Sequence, residues 1–343
     1  MTMPLTSDIA IDASKFSLEN VSEETIGVNN FIERATSSGP TWQEVGPVKF
    51  REMRENGKTG FAAPVYLPAA KDVVVSSRDA GRDIALRVYS PDNGQPSKGL
   101  FLHIHGGGFV MGTHQHQDGK LREYANTFQL TALSVDYRLA PENPWPAQVH
   151  DCIDAVEYLV DKGEHIFSAR LLFISGESAG GNLAATTAFH LLRARPNHKI
   201  AGLILPYGWF DVTQNLPMVT TFERRLLVNN AKMLGFAMAY APNTTIEERR
   251  NPRISPIYDD MRGLAKGAPG GKLPPALFLC GTEDPLLDDT LLMAMKWMIT
   301  GSEAIVKIYP GACHAFTAVP GFKAAEEAWE ATVEFMREKM KGI

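Results

Sequence analysis

From Val73 onward, apolar runs of strand length alternate with longer stretches whose apolar positions recur at helical spacing. Short apolar runs bounded by turn residues read as buried strands, and the longer 3.6-periodic stretches as helices that bury one face. Leu100 to His105, Leu130 to Tyr137, Leu171 to Ser175, Ile200 to Tyr207, Ala276 to Gly281 and Ile305 to Tyr309 are the clearest strands. They belong to a predicted total of about eight. Ala147 to Val160, Ser178 to Arg193, Leu287 to Ile299 and Ala324 to Met340 read as helices. Such alternation predicts an α/β fold, a mostly parallel eight-stranded sheet with helices on both faces.

Two regions interrupt the alternation. Residues 1–70 precede it, and residues 208–255 are too long for a plain connection between the strands at Ile200 and Ala276. Within the second, Phe222 to Leu227 and Ala231 to Tyr240 have helical spacing, and Asn251 to Pro256 closes it with two prolines. Both regions are expected to pack together as a helical cap over one end of the sheet. The chain is then one catalytic domain, residues 71–343, with a cap insertion at about 208–255 and an N-terminal contribution from 1–70. The Gly/Pro/Lys-rich stretch Gly267 to Pro275 reads as a surface loop.

Gly176-Glu177-Ser178-Ala179-Gly180 has the G-x-S-x-G form. By composition alone it would arise in about one chain of this length in ten, so it is weak in isolation. Its context strengthens it: an apolar strand runs into it and a helical run beginning Asn182-Leu183-Ala184 follows, the strand–turn–helix arrangement of a nucleophile elbow. His105-Gly106-Gly107-Gly108 follows another strand and would arise by chance in about one chain in two hundred, so it carries more weight. Acyl transfer builds negative charge on a carbonyl oxygen, and residues without side chains let backbone N–H groups approach that oxygen closely. The amides of Gly107, Gly108 and Ala179 are the candidate oxyanion hole.

A serine hydroxyl needs a base, and the base needs an acid that holds its tautomer. In this arrangement the chain order is Ser, acid, His. His314 is the histidine that sits in a turn after a late strand, whereas His190 and His198 fall on or just after the helix that follows Ser178. Asp284, in Gly281-Thr282-Glu283-Asp284-Pro285-Leu286, is the chosen acid. Glu283, Asp288 and Asp289 are its competitors, and the last two read as solvated or helix-start carboxylates. His103 reads as a hydrogen-bonded core histidine, and His105 as a residue that shapes the oxyanion loop without transferring a proton. His114 and His116 form an H-x-H pair with no nearby cluster to complete a metal site. Cys313, beside His314, reads as packing.

H-G-G-G-F at His105 to Phe109, D-Y-R-L-A-P-E at Asp136 to Glu142, G-E-S-A-G-G-N at Gly176 to Asn182, D-P-L at Asp284 to Leu286 and the closing histidine together resemble the hormone-sensitive-lipase-like esterases. The resemblance runs from about Val73 to the C-terminus. It implies the α/β-hydrolase fold with a helical cap, small-molecule carboxylic esters as substrates, no cofactor, and a homodimer through the last strand. Three positions depart from the family pattern. Glu177 stands where Asp is commoner, Ala315 follows the histidine where glycine is frequent, and Gln117 occupies the place of a histidine before Asp118. The competing class is a relative that has lost hydrolysis, such as a receptor, or a dehydratase, lyase or cyclase using the same pocket. The intact set Ser178, Asp284 and His314 favours a serine carboxylesterase acting on short to medium acyl esters.

Composition narrows the setting. Of 343 residues, 44% are hydrophobic and 21% charged, which is ordinary for a globular protein. A net charge of −5 with dispersed cations supplies no field for nucleic acid. Met1 to Leu18 lacks a secretory apolar stretch, no run reaches membrane-spanning length, and the three cysteines are too scattered for a disulfide framework. These features predict a cytoplasmic enzyme with free thiols. Trp209, Phe210, Phe222, Leu227, Met233 and Phe236 could equally wall a pocket or fill the core of the cap.

Overall fold

A computed structural model describes residues 7, 9–37 and 39–342. Its sheet has eight strands: β1 (Lys71–Ser76), β2 (Asp83–Tyr89), β3 (Leu100–Ile104), β4 (Thr131–Val135), β5 (Leu171–Gly176), β6 (Gly202–Pro206), β7 (Ala276–Glu283) and β8 (Ala304–Cys313). Their spatial order is β1-β2-β4-β3-β5-β6-β7-β8. β2 pairs antiparallel with both β1 and β4, and the remaining neighbours are parallel. β3 and β4 are buried at every position and β5 likewise, which explains their unbroken apolar runs: a parallel strand covered on both faces has no solvent side on which to place polar residues.

Twelve α-helices complete the described chain. The N-terminal group is α1 (Glu23–Ser37), α2 (Trp42–Val45) and α3 (Pro47–Glu55), followed by α4 (Asp118–Phe128), α5 (Ala147–Phe167) and α6 (Ala179–Ala194). After β6 come α7 (Pro217–Thr221), α8 (Asn230–Tyr240), α9 (Ile246–Arg249) and α10 (Met261–Gly267), then α11 (Leu287–Ile299) and α12 (Lys323–Lys339). One core cluster includes Val149, Ile153, Leu183 and Phe189 from α5 and α6. Another includes Leu121, Phe128 and Phe335 from α4 and α12, so apolar layers of helix lie on both faces of the sheet.

The helical spacing of Phe222 to Leu227 does not produce a helix. α7 starts on Pro217, whose missing N–H suits a first helical position, and ends at Thr221. Phe222 leaves in an extended conformation, Leu227 has φ +68°, and Leu226 forms a short bridge with Val228. Phe222 and Leu226 are instead spaced so that they reach one cluster with Ile32 of α1 and Cys313 of β8. Asn229 then caps α8, accepting a hydrogen bond from the Lys232 amide at 3.1 Å.

The N-terminal helices and the insertion touch at several points. Trp42 stacks on Phe236 with ring centroids 5.4 Å apart, Thr36 Oγ1 donates to the Arg225 carbonyl at 2.8 Å, and Arg224 lies 3.4 Å from Glu33. Arg51 of α3 ties this group to the sheet side by donating to the Val110 and Ala140 carbonyls and to both oxygens of Glu142.

Candidate active site

Ser178 stands between β5 and α6 with φ +56° and ψ −121°, a conformation L-residues rarely adopt. The turn closes only because its flanks lack side chains. A β-carbon on Gly176 would come within 2.2 Å of the Gly180 carbonyl oxygen, and one on Gly180 within 2.0 Å of the Ile104 oxygen. Close packing of β5, α6 and β3 is therefore what lifts the Ser178 hydroxyl out of the chain path.

The carboxylate and imidazole arrive from the ends of β7 and β8. Ser178 Oγ lies 2.9 Å from His314 Nε2, and His314 Nδ1 lies 3.0 and 2.9 Å from the two oxygens of Asp284. Asp284 is fully buried, and its Oδ1 also accepts the Leu286 amide at 2.8 Å, which fixes the plane of the carboxylate. With Nδ1–H donating to Asp284, Nε2 is the free acceptor for the serine proton. Tyr207 packs edge-on against the imidazole at 4.9 Å and is itself bonded to Thr317 at 2.5 Å.

Across the cavity from His314, the loop after β3 turns through Gly107 (φ +118°) and Gly108 (φ +62°). Among the described residues, none of the Gly107, Gly108 and Ala179 amides donates to a protein acceptor. Several residues hold this loop. The Tyr137 hydroxyl donates to the His105 carbonyl at 2.8 Å and its ring stacks on the His105 ring at 4.2 Å. His105 Nδ1–H donates to the Gly106 carbonyl at 2.9 Å, and burial pushes the His105 pKa down to about 4, so this histidine is neutral and occupied with the loop. Within the D-Y-R-L-A-P-E segment, Tyr137 braces the glycine loop and Glu142 anchors α3, while Arg138 pairs with Asp151 and Asp79.

A charged network beside Ser178 was not legible in the sequence. Glu177 accepts from His103 Nε2–H at 2.7 Å, lies 3.2 Å from Lys120 Nζ, and receives the Gly106 amide at 3.4 Å. Although burial alone would raise its pKa, His103 and Lys120 together hold the Glu177 carboxyl well below the ordinary range, while burial lowers that of His103. Asn182, four residues after Ser178, donates from one amide nitrogen to the Trp209 and Ile254 carbonyls at 2.9 and 2.8 Å. Those residues lie at the two ends of the insertion, so one buried side chain on α6 pins both.

Asp289 corrects the reading of a solvated helix-start carboxylate. It is fully buried, and its Oδ1 accepts the Phe210 and Asp211 amides, each at 2.7 Å. Burial raises its pKa well above 3.8, so between that value and its folded pKa folding takes up a proton that the unfolded chain has lost. The stability this group contributes is full below about pH 3.8 and is lost as pH rises toward its folded value. Asparagine does not titrate, so Asp289→Asn should match wild type near pH 4 and melt at a higher temperature near pH 7. A variant that loses ground as pH rises would mean that the Phe210 and Asp211 amides hold a charged carboxylate in place.

The remaining candidates have partners of their own. Asp288 accepts the Met218 amide at 2.9 Å, and Glu283 pairs with Arg224 at 3.3 Å. Neither these two nor Asp289 faces His314 as Asp284 does. His114 turns to Asp136 at 2.9 Å and His116 to Glu55 at 2.5 Å, and no group of metal-ligating side chains forms around them among the described residues. His190 meets Glu157, and His198 the Leu171 carbonyl. Cys313 is buried, with its thiol pushed up to about 12 by desolvation, a protonated packing residue. Ala315 has φ +60°, a left-handed conformation that suits the glycine expected after the histidine and costs a residue with a side chain about 1 kcal/mol.

The serine, His314 and the three-glycine loop open into a cavity of about 310 Å³. Trp209, Leu227, Met233 and Phe236 line it, and so does Gln117. Phe210 does not; it is buried edge-on against Phe278. Phe222 belongs to the cluster around Cys313.

Residues 101–318 match a protein family described by its alpha/beta hydrolase fold. An arylesterase from Saccharolobus solfataricus is 28% identical over 285 residues, 79% of this chain and 86% of the arylesterase. An ethyl acetate hydrolase from Pseudomonas putida is 27% identical over 273 residues, 78% of this chain and 82% of that one. Among solved structures, an ester hydrolase from the metagenome of Lake Arreo, in complex with a bipyridine phosphonate derivative, is similar with a TM-score of 0.76. It is 28% identical and the match covers 93% of this chain and 98% of the other.

Proposed function

The chain belongs to the alpha/beta hydrolase family matched over residues 101–318, in its hormone-sensitive-lipase-like branch, and from that membership we propose a serine carboxylesterase with Ser178 as nucleophile. His314 Nε2 takes the Ser178 proton as Oγ attacks the ester carbonyl. The amides of Gly107, Gly108 and Ala179 receive the oxyanion, and Asp284 stabilises the imidazolium. Collapse expels the alcohol, protonated by His314, and leaves an acyl-serine. Water, deprotonated by the same imidazole, then attacks that ester and releases the acid. The observation that carries this reading is the line of contacts from Asp284 through the imidazole to Ser178 Oγ, each step 2.9–3.0 Å, with Ser178 opening into a cavity beside the Gly107, Gly108 and Ala179 amides, which have no protein acceptor among the described residues.

Residues 1–70 and 208–255 serve in this reading as the cap. Both contribute cavity walls, among them Trp42, Phe50, Met233 and Phe236. A space of about 310 Å³ lies at the small end of ligand pockets and suits short to medium acyl groups. Soluble 4-nitrophenyl esters of two to eight acyl carbons should therefore be turned over faster than emulsified long-chain triglyceride, and Ser178→Ala should abolish the turnover while remaining folded. Faster hydrolysis of the emulsion, or full activity of Ser178→Ala, defeats the reading.

For assembly we favour a homodimer through β8, which has no strand on its outer side among the described residues. A cytoplasmic location is supported by three buried, unpaired cysteines. No described helix is long and apolar enough to cross a membrane.

A further inference from the structure

The cavity wall carries more positive than negative charge, and the imbalance comes from the two segments that cover it. Arg54 of α3, His116, Lys120 and Lys232 of α8 line the cavity, whereas Glu177 is the one carboxylate among its lining residues. Glu177 is already engaged by His103 and Lys120, and His116 is engaged by Glu55. Arg54 and Lys232 have no carboxylate within ion-pairing distance among the described residues. Their hydrogen bonds go to backbone carbonyls, Arg54 to Ala62 and Lys232 to Leu227 at 2.9 Å. An ammonium has three donors, so Lys232 keeps two for another acceptor.

Lys232 is also placed to reach a substrate. It sits four residues before Phe236, hence on the same face of α8 and about 6 Å along the helix from it. Phe236 packs directly on the oxyanion loop, since a β-carbon on Gly108 would fall 2.5 Å from its ring. The α8 face that touches the oxyanion loop therefore continues, one turn toward its N-terminus, into a half-buried cation. Burial and the neighbouring Arg225 disfavour that charge, lowering the Lys232 pKa, and the Leu227 carbonyl is its one hydrogen-bond partner among the described residues, with no carboxylate paired to it. An anion brought by the ligand would supply that pairing.

We propose that Lys232 is a specificity residue that selects esters bearing a second, negatively charged group, a carboxylate, several bonds from the scissile carbonyl. The inference rests on the esterase reading and names its substrate class. The apolar wall formed by Met233, Phe236 and Trp209 holds the intervening carbons, and the ammonium pairs with the carboxylate at the far end.

The test compares matched pairs of esters on the full chain. Mono-4-nitrophenyl glutarate against 4-nitrophenyl pentanoate places the charge on the acyl side. 4-Acetoxybenzoate against its methyl ester places it on the alcohol side. In at least one pair, the ratio of kcat/KM for the charged over the neutral ester should fall about tenfold in Lys232→Met, mainly through KM. Lys232→Arg should keep most of the ratio, because it keeps the charge. Ratios unchanged by Lys232→Met in both pairs overturn the proposal. Wild-type chain that hydrolyses none of the four esters overturns the esterase reading itself, so the two failures are distinct.

Discussion

Asp284→Asn is expected to lower turnover of a soluble ester by roughly four orders of magnitude, the loss known for the equivalent change in a serine protease triad. Both oxygens of Asp284 face His314 Nδ1, at 3.0 and 2.9 Å, in a fully buried site. An amide there can donate to Nδ1, which moves the ring proton to Nε2 and leaves Ser178 without an acceptor. Shape and the hydrogen bond from the Leu286 amide can persist, so the melting temperature should move far less than the rate. Glu283→Gln and Asp288→Asn should keep most activity, since those carboxylates serve Arg224 and the Met218 amide. Near wild-type turnover in Asp284→Asn, with collapse in either neighbour, would show that the acid had been misassigned.

Gly108→Ala should also slow the enzyme severely, with kcat falling about 10²–10³-fold, the loss typical of one misplaced oxyanion donor. The new β-carbon meets two obstacles, a φ of +62° and the Phe236 ring at 2.5 Å. Phe236 cannot retreat easily, being buried and stacked on Trp42. The loop would have to move instead, carrying its amide away from the carbonyl oxygen. Gly108→Ala combined with Phe236→Ala should recover part of the rate. Unaltered kcat in the single variant would remove Gly108 from the oxyanion hole.

What was legible in the sequence was what is local. The six strands read from apolar runs recur with ends shifted by a few residues, and the elbow and glycine loop lie where their flanking strands predicted. What was not legible depends on distant partners. Asp289 looks like a solvated helix-start residue until Phe210 and Asp211, about eighty positions earlier in the chain, are folded onto it. Glu177 meets His103 across 74 positions, and no spacing rule connects them. Phe222 to Leu227 shows the converse failure: residues four apart can serve a helix face or converge on a shared cluster from a loop, and here Ile32 and Cys313 supply the cluster.

Whether Ser178 is a single activated nucleophile facing an oxyanion hole can be decided by reacting the folded chain with a phosphonate ester probe and measuring intact and peptide masses. The expected result is one adduct per chain, mapped to Ser178, absent from Ser178→Ala and formed much more slowly in Asp284→Asn. An adduct on any other residue, or none on folded wild-type protein, would contradict it.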